Sequence, residues 1–386
     1  MKDFKGESTR LLHGGPSQDP HTGASSIPVY QTSTFHQPDP EHLGEWDYAR
    51  SGNPTRAALE ETIASLERGA VGVAFGSGMA ATSSCLMLFQ PGDHLVVAED
   101  VYGGTFRVLS TLFKQWGLEV SWVDASDPQR LEDAITPKTR GLFVETPSNP
   151  LLKITDLRAC ADIARRHDLI SITDNTFQTP WFTRPLELGF DIVVHSATKF
   201  LGGHSDVIAG LAVARTPELG KRLRFVQNAF GAILGVQDSW LVMRGIRTLG
   251  VRMDAQSRSA GLLATWLESQ GGVEQVFYPG LASHEGHALH ASQATGAGAV
   301  LSMRLPSREF AKSFLQSLKL PLVGVSLGGV ETIASWPITM SHAAMPAPER
   351  KRRGITDGVV RLSVGLETLE DLQADIEHAL KTATRP

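Results

Sequence analysis

Residues 191–207 read DIVVHSATKFLGGHSDV. Ile192, Val193 and Val194 are a short β-branched run of the kind that forms a buried strand. The run stops at Ser196, Ala197, Thr198 and Lys199, and Gly202 and Gly203 follow. A strand that buries its apolar run has no structural use for an ammonium group in the turn after it. The lysine is the residue to explain, and the strand before it is the unit from which the fold is read.

The same unit recurs on both sides. Short apolar runs bounded by turn residues occur at 71–75 (VGVAF), 94–100 (HLVVAED), 117–124 (GLEVSWVD), 141–147 (GLFVETP), 169–175 (LISITDN) and 208–214 (IAGLAVA). Helical spacing starts at Pro54, a good first-turn residue, and helix-like stretches lie at 79–89, 104–115, 126–135 and 156–167. Strands alternating with helices predict an α/β fold with a mostly parallel central sheet covered on both faces. Ligands of such sheets sit beyond the carboxyl ends of the strands. A long helix over 234–270 is expected to leave this domain. Beyond it GAVLSMRL (298–305), SLGGVETIASWP (326–337) and VVRLSVGLE (359–367) read as strands, with helices at 307–318 and 368–382. The expected organisation is an extended arm over 1–50, an α/β domain over 51–250 and a smaller α+β C-terminal domain over 251–386. The arm carries Tyr30, Phe35, Trp46 and Tyr48, too many aromatics for a free tail, so it is expected to lie against something.

Bulk properties narrow the function classes. With 386 residues, 41% apolar and 20% charged, the chain has room for two domains and a sizeable core. A net charge of −5 with mixed signs favours neither nucleic acid nor an anionic membrane. The basic run Glu349–Arg353 reads as the solvated start of a loop. No apolar run approaches the ~18 residues of a membrane span. Met-Lys-Asp-Phe-Lys-Gly-Glu lacks a signal-peptide core, so the expected location is cytoplasmic. Cys85 and Cys160 show no ligand spacing and read as buried apolar residues; no metal is expected.

Four strand ends carry polar residues: Glu145 and Asn149, Asp174 and Asn175, Ser196 to Lys199, and the glycine turn Gly76-Ser77-Gly78-Met79. Singly each has a structural reading as a turn, cap or solvated residue. Together at one sheet edge they suit a site. A primary amine in a partly dry site is a nucleophile toward aldehydes. The aldehyde cofactor that uses lysine this way is pyridoxal 5'-phosphate (PLP), which also needs an acid beside its ring nitrogen. Asp174, 25 residues before Lys199, suits that role. The glycine turn before a helix offers backbone N–H groups to a phosphate, or is a plain tight connection. One competing reading exists: GSGMAA fits G-x-G-x-x-A after a strand, with Glu99 at the next strand end, a dinucleotide fingerprint of a nicotinamide enzyme. It leaves Lys199 and Asp174 unexplained.

With these residues in place the sequence resembles the Cys/Met-metabolism PLP enzymes: cystathionine γ-synthases, cystathionine β- and γ-lyases, methionine γ-lyases and homoserine sulfhydrylases. The resemblance runs nearly end to end, through YARSGNPTR (48–56), AFGSGMAA (74–81), ETPSNP (145–150), DNTF (174–177), HSATKFLGGHSDV (195–207), SLGGVET (326–332) and RLSVGLE (361–367). It implies an aspartate-aminotransferase-like fold (PLP fold type I) and a homotetramer of dimers with shared active sites. It implies that Lys199 joins the cofactor and shuttles protons, Asp174 pairs with the ring nitrogen and Tyr102 stacks on the ring. By the same resemblance Gly78, Met79, Ser196 and Thr198 hold the phosphate, and Tyr48 and Arg50 reach the neighbouring subunit's cofactor. Asn149 sits near the 3′-oxygen. Arg361 and Thr332 hold the substrate α-carboxylate, and Glu331 is of a type found in γ-synthases and γ-lyases. Two departures stand out: Thr332 replaces the usual Ser, and Gly104 stands where methionine γ-lyases have Cys. Residues 225–253 and 340–358 look most like bacterial cystathionine lyases.

The expected activity is therefore PLP-dependent carbon–sulfur lysis of cystathionine or a similar sulfur amino acid, by β- or γ-elimination, in transsulfuration or methionine metabolism. Alternatives are a γ-replacing cystathionine γ-synthase or O-acylhomoserine sulfhydrylase, a nicotinamide dinucleotide enzyme, and a non-catalytic scaffold on the same fold.

Overall fold

Each strand expected between 71 and 214 forms, and together they make one sheet. In the computed structural model, which describes residues 4–343 and 345–383, these are β1 (Val71–Phe75), β2 (His94–Ala98), β3 (Glu119–Val123), β4 (Thr139–Glu145), β5 (Ile170–Asp174), β6 (Ile192–Ser196) and β7 (Gly210–Ala214). Residues 1–3 of the arm, Ala344 and the last three residues lie outside the described part. The sheet order is β1-β7-β6-β5-β4-β2-β3. Six strands run parallel, and β7 runs against both of its neighbours, β1 and β6. The hydrophobic runs are continuous because helices cover both faces. Leu59, Ile63 and Leu66 of helix Pro54–Glu67 are buried against the sheet, each contributing about 1.5–3 kcal/mol. That helix starts where Pro54 predicts, with Asn53 accepting the Thr55 N–H at 2.9 Å.

A second sheet, order β10-β11-β12-β9-β8, is built from β8 (Gln275–Phe277), β9 (Val300–Arg304), β10 (Leu322–Val323), β11 (Ile333–Ser335) and β12 (Val359–Ser363). Helices Arg308–Ser317 and Leu369–Ala383 cover it, with their own apolar core. The long helix expected over 234–270 is two helices, Val236–Arg247 and Leu249–Leu267. Thr248 breaks it: its Oγ1 donates to the Gly245 carbonyl, and Arg252 donates to Thr248 Oγ1 and to the same carbonyl. The residue 250 boundary falls in the first turn of the second helix, whose Ala260, Leu263, Ala264 and Leu267 enter the second core.

Three smaller expectations change. The stretch 104–115 is a helix from Gly103 to Trp116 interrupted by a π-helical turn at Leu109–Phe113. The basic run is no solvated loop: Ala347–Arg352 is helical, Arg352 Nη2 sits 2.7 Å from Glu99 Oε2, and Arg353 is buried against Glu349. The arm contains a helix, Glu7–His13, and lies along the first domain, with the Tyr30 N–H donating to Thr55 Oγ1 at 2.9 Å. Both cysteines are buried and free, with their thiols pushed up by burial. Among the described residues no helix is long and apolar enough to cross a membrane.

Candidate active site

Parallel pairing aligns the polar strand ends. Glu145 of β4 sits opposite Asp174 of β5, and Asp174 opposite Val194 of β6, so the chain turns out of all three strands at one edge. The antiparallel β7 delivers Gly210 opposite both Ser196 and Phe75. A Cβ at Gly210 would lie 2.0 Å from the Ser77 carbonyl oxygen, so only glycine lets β7 pass beneath the Gly76–Gly78 turn. Helix Gly78–Leu86 begins there. Ser77 Oγ accepts the Ala80 N–H at 3.0 Å, leaving the Gly78 and Met79 N–H groups without an intrahelical acceptor at the positive end of the helix. A Cβ at Gly78 would come within 2.8 Å of Ser196 Cβ.

These elements and the second sheet enclose a cavity of about 410 Å³. Lys199, Asp174, Tyr102, Asn149, Ser196, Thr198, Gly78, Met79 and Arg361 all line it. Lys199 Nζ donates to Ser326 Oγ at 2.7 Å. Burial, helped by the Arg361 charge, lowers the ammonium from 10.5 to about 8. The turn carrying the lysine is clamped from two sides. Arg252, itself lowered to about 10 by burial, donates to the Phe200 carbonyl at 2.9 Å. From the other side Gly328, at φ 80°, packs so closely that a Cβ would meet the Phe200 nitrogen at 2.6 Å. Ser326 in the same loop has φ 115°, a conformation costing roughly 1–3 kcal/mol for a residue with a side chain.

Asp174 Oδ1 accepts the Thr176 N–H at 2.9 Å. Burial raises its carboxyl, opposed by hydrogen bonds from Thr176 and by His195. Glu145 is pushed well above the usual range, by burial first and the Asp174 charge second; its Oε2 accepts the Tyr102 N–H at 2.7 Å. Among the described residues no ion pair reaches Asp174. Arg361 is buried and, among the described residues, makes no ion pair. Nη1 donates to Asn149 Oδ1 at 3.0 Å, Nη2 to the Ser326 carbonyl at 2.6 Å and to Ser335 Oγ at 3.1 Å, and Nε has no partner. Desolvation lowers this guanidinium to about 10. A buried carboxylate lacking a cation, a buried cation lacking an anion and an open helix N-terminus fit a ligand bearing a protonated ring nitrogen, a carboxylate and a phosphate.

Some expected residues are not brought to the cavity. Thr332, implied as a carboxylate ligand, is fully buried behind it: Oγ1 donates to Glu367 Oε2 at 2.8 Å and accepts the Gly365 N–H at 2.9 Å. Its hydroxyl is spent on closing the 330–367 loop contact, and Ser326 and Ser335 stand at Arg361 instead. Glu331 is exposed and does not line the cavity. Tyr48 and Arg50 lie outside the cavity of their own chain, with Tyr48 47% exposed and the Arg50 guanidinium 5.8 Å from its ring. Residues that the sequence reading gave no role also line the cavity: Ser326 and Thr176, which lie inside SLGGVET and DNTF, and Arg107, Met340 and Ser341. Ser341 Oγ lies 2.9 Å from Nδ1 of His342, which burial first and Arg361 second lower to about 3. The Gly328-Gly329 pair was a signal for Ser326, since it announces a tight turn before β11. At Gly104 a Cβ would sit 2.4 Å from the Tyr102 ring, so the glycine lets that ring fold back.

The dinucleotide alternative fails on topology. The glycine turn follows β1, at one edge, and Glu99 follows β2, five strands away in the order, or about 24 Å at ~4.8 Å per strand. Glu99 is engaged by Arg352.

Comparison with known proteins agrees with this geometry. A family profile described as Cys/Met metabolism PLP-dependent enzyme matches residues 8–381. The chain is 53% identical over 373 residues to the cystathionine beta-lyase MetC of Bacillus subtilis, covering 97% of this chain and 96% of that one. It is 50% identical over 376 residues to the cystathionine gamma-lyase of the same organism, covering 97% and 99%. The crystal structure of cystathionine gamma-lyase from Lactobacillus plantarum complexed with L-serine superposes with a TM-score of 0.96 at 45% identity, covering 98% of this chain and 99% of that one.

Proposed function

The chain belongs to the Cys/Met metabolism PLP-dependent enzyme family, and from that premise we propose that it cleaves a carbon–sulfur bond of cystathionine. The observation that carries the reading is Lys199: a buried amine, lowered to about 8 and held 2.7 Å from Ser326, in a cavity it shares with Asp174 and Arg361. The cofactor, when bound, supplies an aldehyde for the amino group and a ring that accepts the electrons left on a deprotonated α-carbon.

The chain's residues do the rest. With the cofactor bound, the Asp174 carboxylate would hold its ring nitrogen. Gly78 and Met79 N–H groups, with Ser196 and Thr198, would hold the phosphate, and Tyr102 would hold the heterocycle from the side. Arg361 binds the substrate α-carboxylate through its unpartnered Nε and its forked Nη groups, and Asn149 aligns that fork. The Lys199 amine would hold the cofactor's aldehyde and would move the substrate α-proton; a base near neutrality contributes roughly 10²–10⁴-fold. Departure of the thiolate from the β-carbon needs that transfer alone. Departure from the γ-carbon needs a second transfer, at the β-carbon, which the same amine would make. Arg107, on the rim, offers a guanidinium to the distal carboxylate of a dicarboxylic substrate.

The wider setting follows from the same reading. Residues 1–50 act as an arm, 51–250 as the cofactor-binding domain and 251–386 as the C-terminal domain. Tyr48 and Arg50, exposed and outside their own cavity, reach the phosphate in a partner subunit of a homotetramer. The enzyme works in the cytoplasm on sulfur amino acids of transsulfuration and methionine metabolism. The test is to incubate the purified protein with cystathionine and identify products. Pyruvate with homocysteine means the β-bond is cut, and 2-oxobutyrate with cysteine the γ-bond. Neither keto acid without a second substrate would refute the lyase reading, and so would normal turnover by Lys199→Ala.

A further inference from the structure

Behind the cavity lies a second buried carboxylate. Glu67, the last residue of helix Pro54–Glu67, and His195 of β6 are both fully buried. His195 Nε2 lies 2.6 Å from Glu67 Oε1. The same oxygen accepts from Asn175 Nδ2 at 3.2 Å, and Nδ2 also donates to the Thr183 carbonyl at 2.8 Å. Glu67 Oε2 and His195 Nδ1 have no hydrogen-bond partner. Alternation along strands places Asp174 and Ser196 toward the cavity and their neighbours Asn175 and His195 on the reverse face. The pair therefore grips the residue after Asp174 and the residue before Ser196.

A carboxylate is poorly placed at this spot. The C-terminal end of a helix is the negative end of its dipole, and a carboxylate sealed from water is costly unless paired. Among the described residues the imidazole of His195 is the base that touches it. We propose that Glu67 and His195 are positioning residues forming a buried pair, in which Glu67 fixes the His195 ring on the reverse side of the β5 and β6 strand ends so that it favours the ionised form of Asp174 opposite the cofactor ring nitrogen. Asp174 needs such help, because burial works against its charge, while His195 works for it. Neither residue of the pair touches substrate. The inference rests on the reading of Asp174 as the partner of the ring nitrogen.

The test compares PLP with its deaza analogue, in which carbon replaces the ring nitrogen. Cofactor-free full-length protein is titrated with each, following tryptophan fluorescence, for wild type, Glu67→Gln and the double variant Glu67→Gln/His195→Gln. The double variant keeps an amide–amide hydrogen bond without charge. Loss of the carboxylate that fixes His195 should weaken PLP about tenfold in both variants, while affinity for the deaza analogue stays within about twofold, since that ring has no nitrogen for Asp174 to meet. Equal weakening of both cofactors would reduce the pair to a structural tie and overturn the proposal, as would no weakening of either. Wild-type protein that binds PLP no better than the deaza analogue would bring down the Asp174 assignment itself, a different failure seen in a different sample.

Discussion

Replacing Lys199 by methionine should make the cofactor-free protein more stable while removing its activity. Methionine keeps the unbranched shape and discards the charge. In the folded chain the ammonium is lowered from 10.5 to about 8, by burial first and Arg361 second. At roughly 1.4 kcal/mol per tenfold, that gap means the charged amine costs the native state about 3 kcal/mol. Losing the hydrogen bond to Ser326 gives back about 1 kcal/mol, for a net gain near 2 kcal/mol. With unfolding entropy of roughly 2.1 cal/mol/K per residue over 386 residues, Tm should rise about 2–3 °C. The pH dependence has a definite sign. Between pH 8 and 10.5 the unfolded chain still binds the proton that the folded chain has shed, so wild-type stability climbs with pH in that window. The variant's advantage is full below pH 8 and gone above 10.5. Scanning calorimetry of both cofactor-free proteins at pH 7, 8, 9 and 10 checks this. A variant that melts below wild type at pH 7, or a difference that ignores pH, refutes the account of Lys199 as a strained buried cation.

Three further outcomes are expected. Arg361→Lys should raise KM for the amino acid about 10–100-fold, the range of a lost charge-assisted hydrogen bond of roughly 1.5–3 kcal/mol, with the bound cofactor's visible absorption unchanged; KM within twofold of wild type would remove Arg361 from the carboxylate site. Gly328→Ala puts a Cβ 2.6 Å from the Phe200 nitrogen and should lower kcat at least about tenfold by displacing the lysine turn, at a strain of roughly 1–3 kcal/mol; an unimpaired kcat would show that the turn yields freely. The rate at which cofactor-free protein captures PLP should rise with pH as the amine loses its proton and level off above about 8; a rate still climbing at pH 10 would mean an ordinary lysine.

Much of the fold was legible because buried parallel strands announce themselves. VGVAF, HLVVA and DIVVH are short β-branched runs with turn residues after them, and each forms a strand. Lys199 and Asp174 were legible for the same reason: a polar residue at the end of such a run stands out against its neighbours. What escaped depends on contacts far apart in sequence. The direction of β7 follows from its fit under the Ser77 carbonyl, and nothing in IAGLAVA encodes it. The break at Thr248 is made by Arg252 reaching back to Gly245, a contact invisible to helical periodicity. Ser326 opens SLGGVET, but its place against the amine depends on Gly328 packing on a turn 127 residues away in sequence. Thr332 shows the converse: a motif position implied a ligand, but Glu367 claims its hydroxyl. The fingerprint of Gly78 with Glu99 stood as an alternative because spacing along a chain does not reveal strand order.

The clamp on Lys199 has a consequence for biosynthesis. Ser326, which holds the amine, lies 127 residues downstream of it. At about 5–20 residues per second, roughly 6–25 s pass between the emergence of the two. Throughout that interval the lysine has neither its hydrogen-bond acceptor nor the Arg361 charge, and the wall that seals it is unmade. The lowering of the amine to about 8 is therefore absent until that wall is made, and a ribosome that stalls before Ser326 leaves an ordinary solvated lysine.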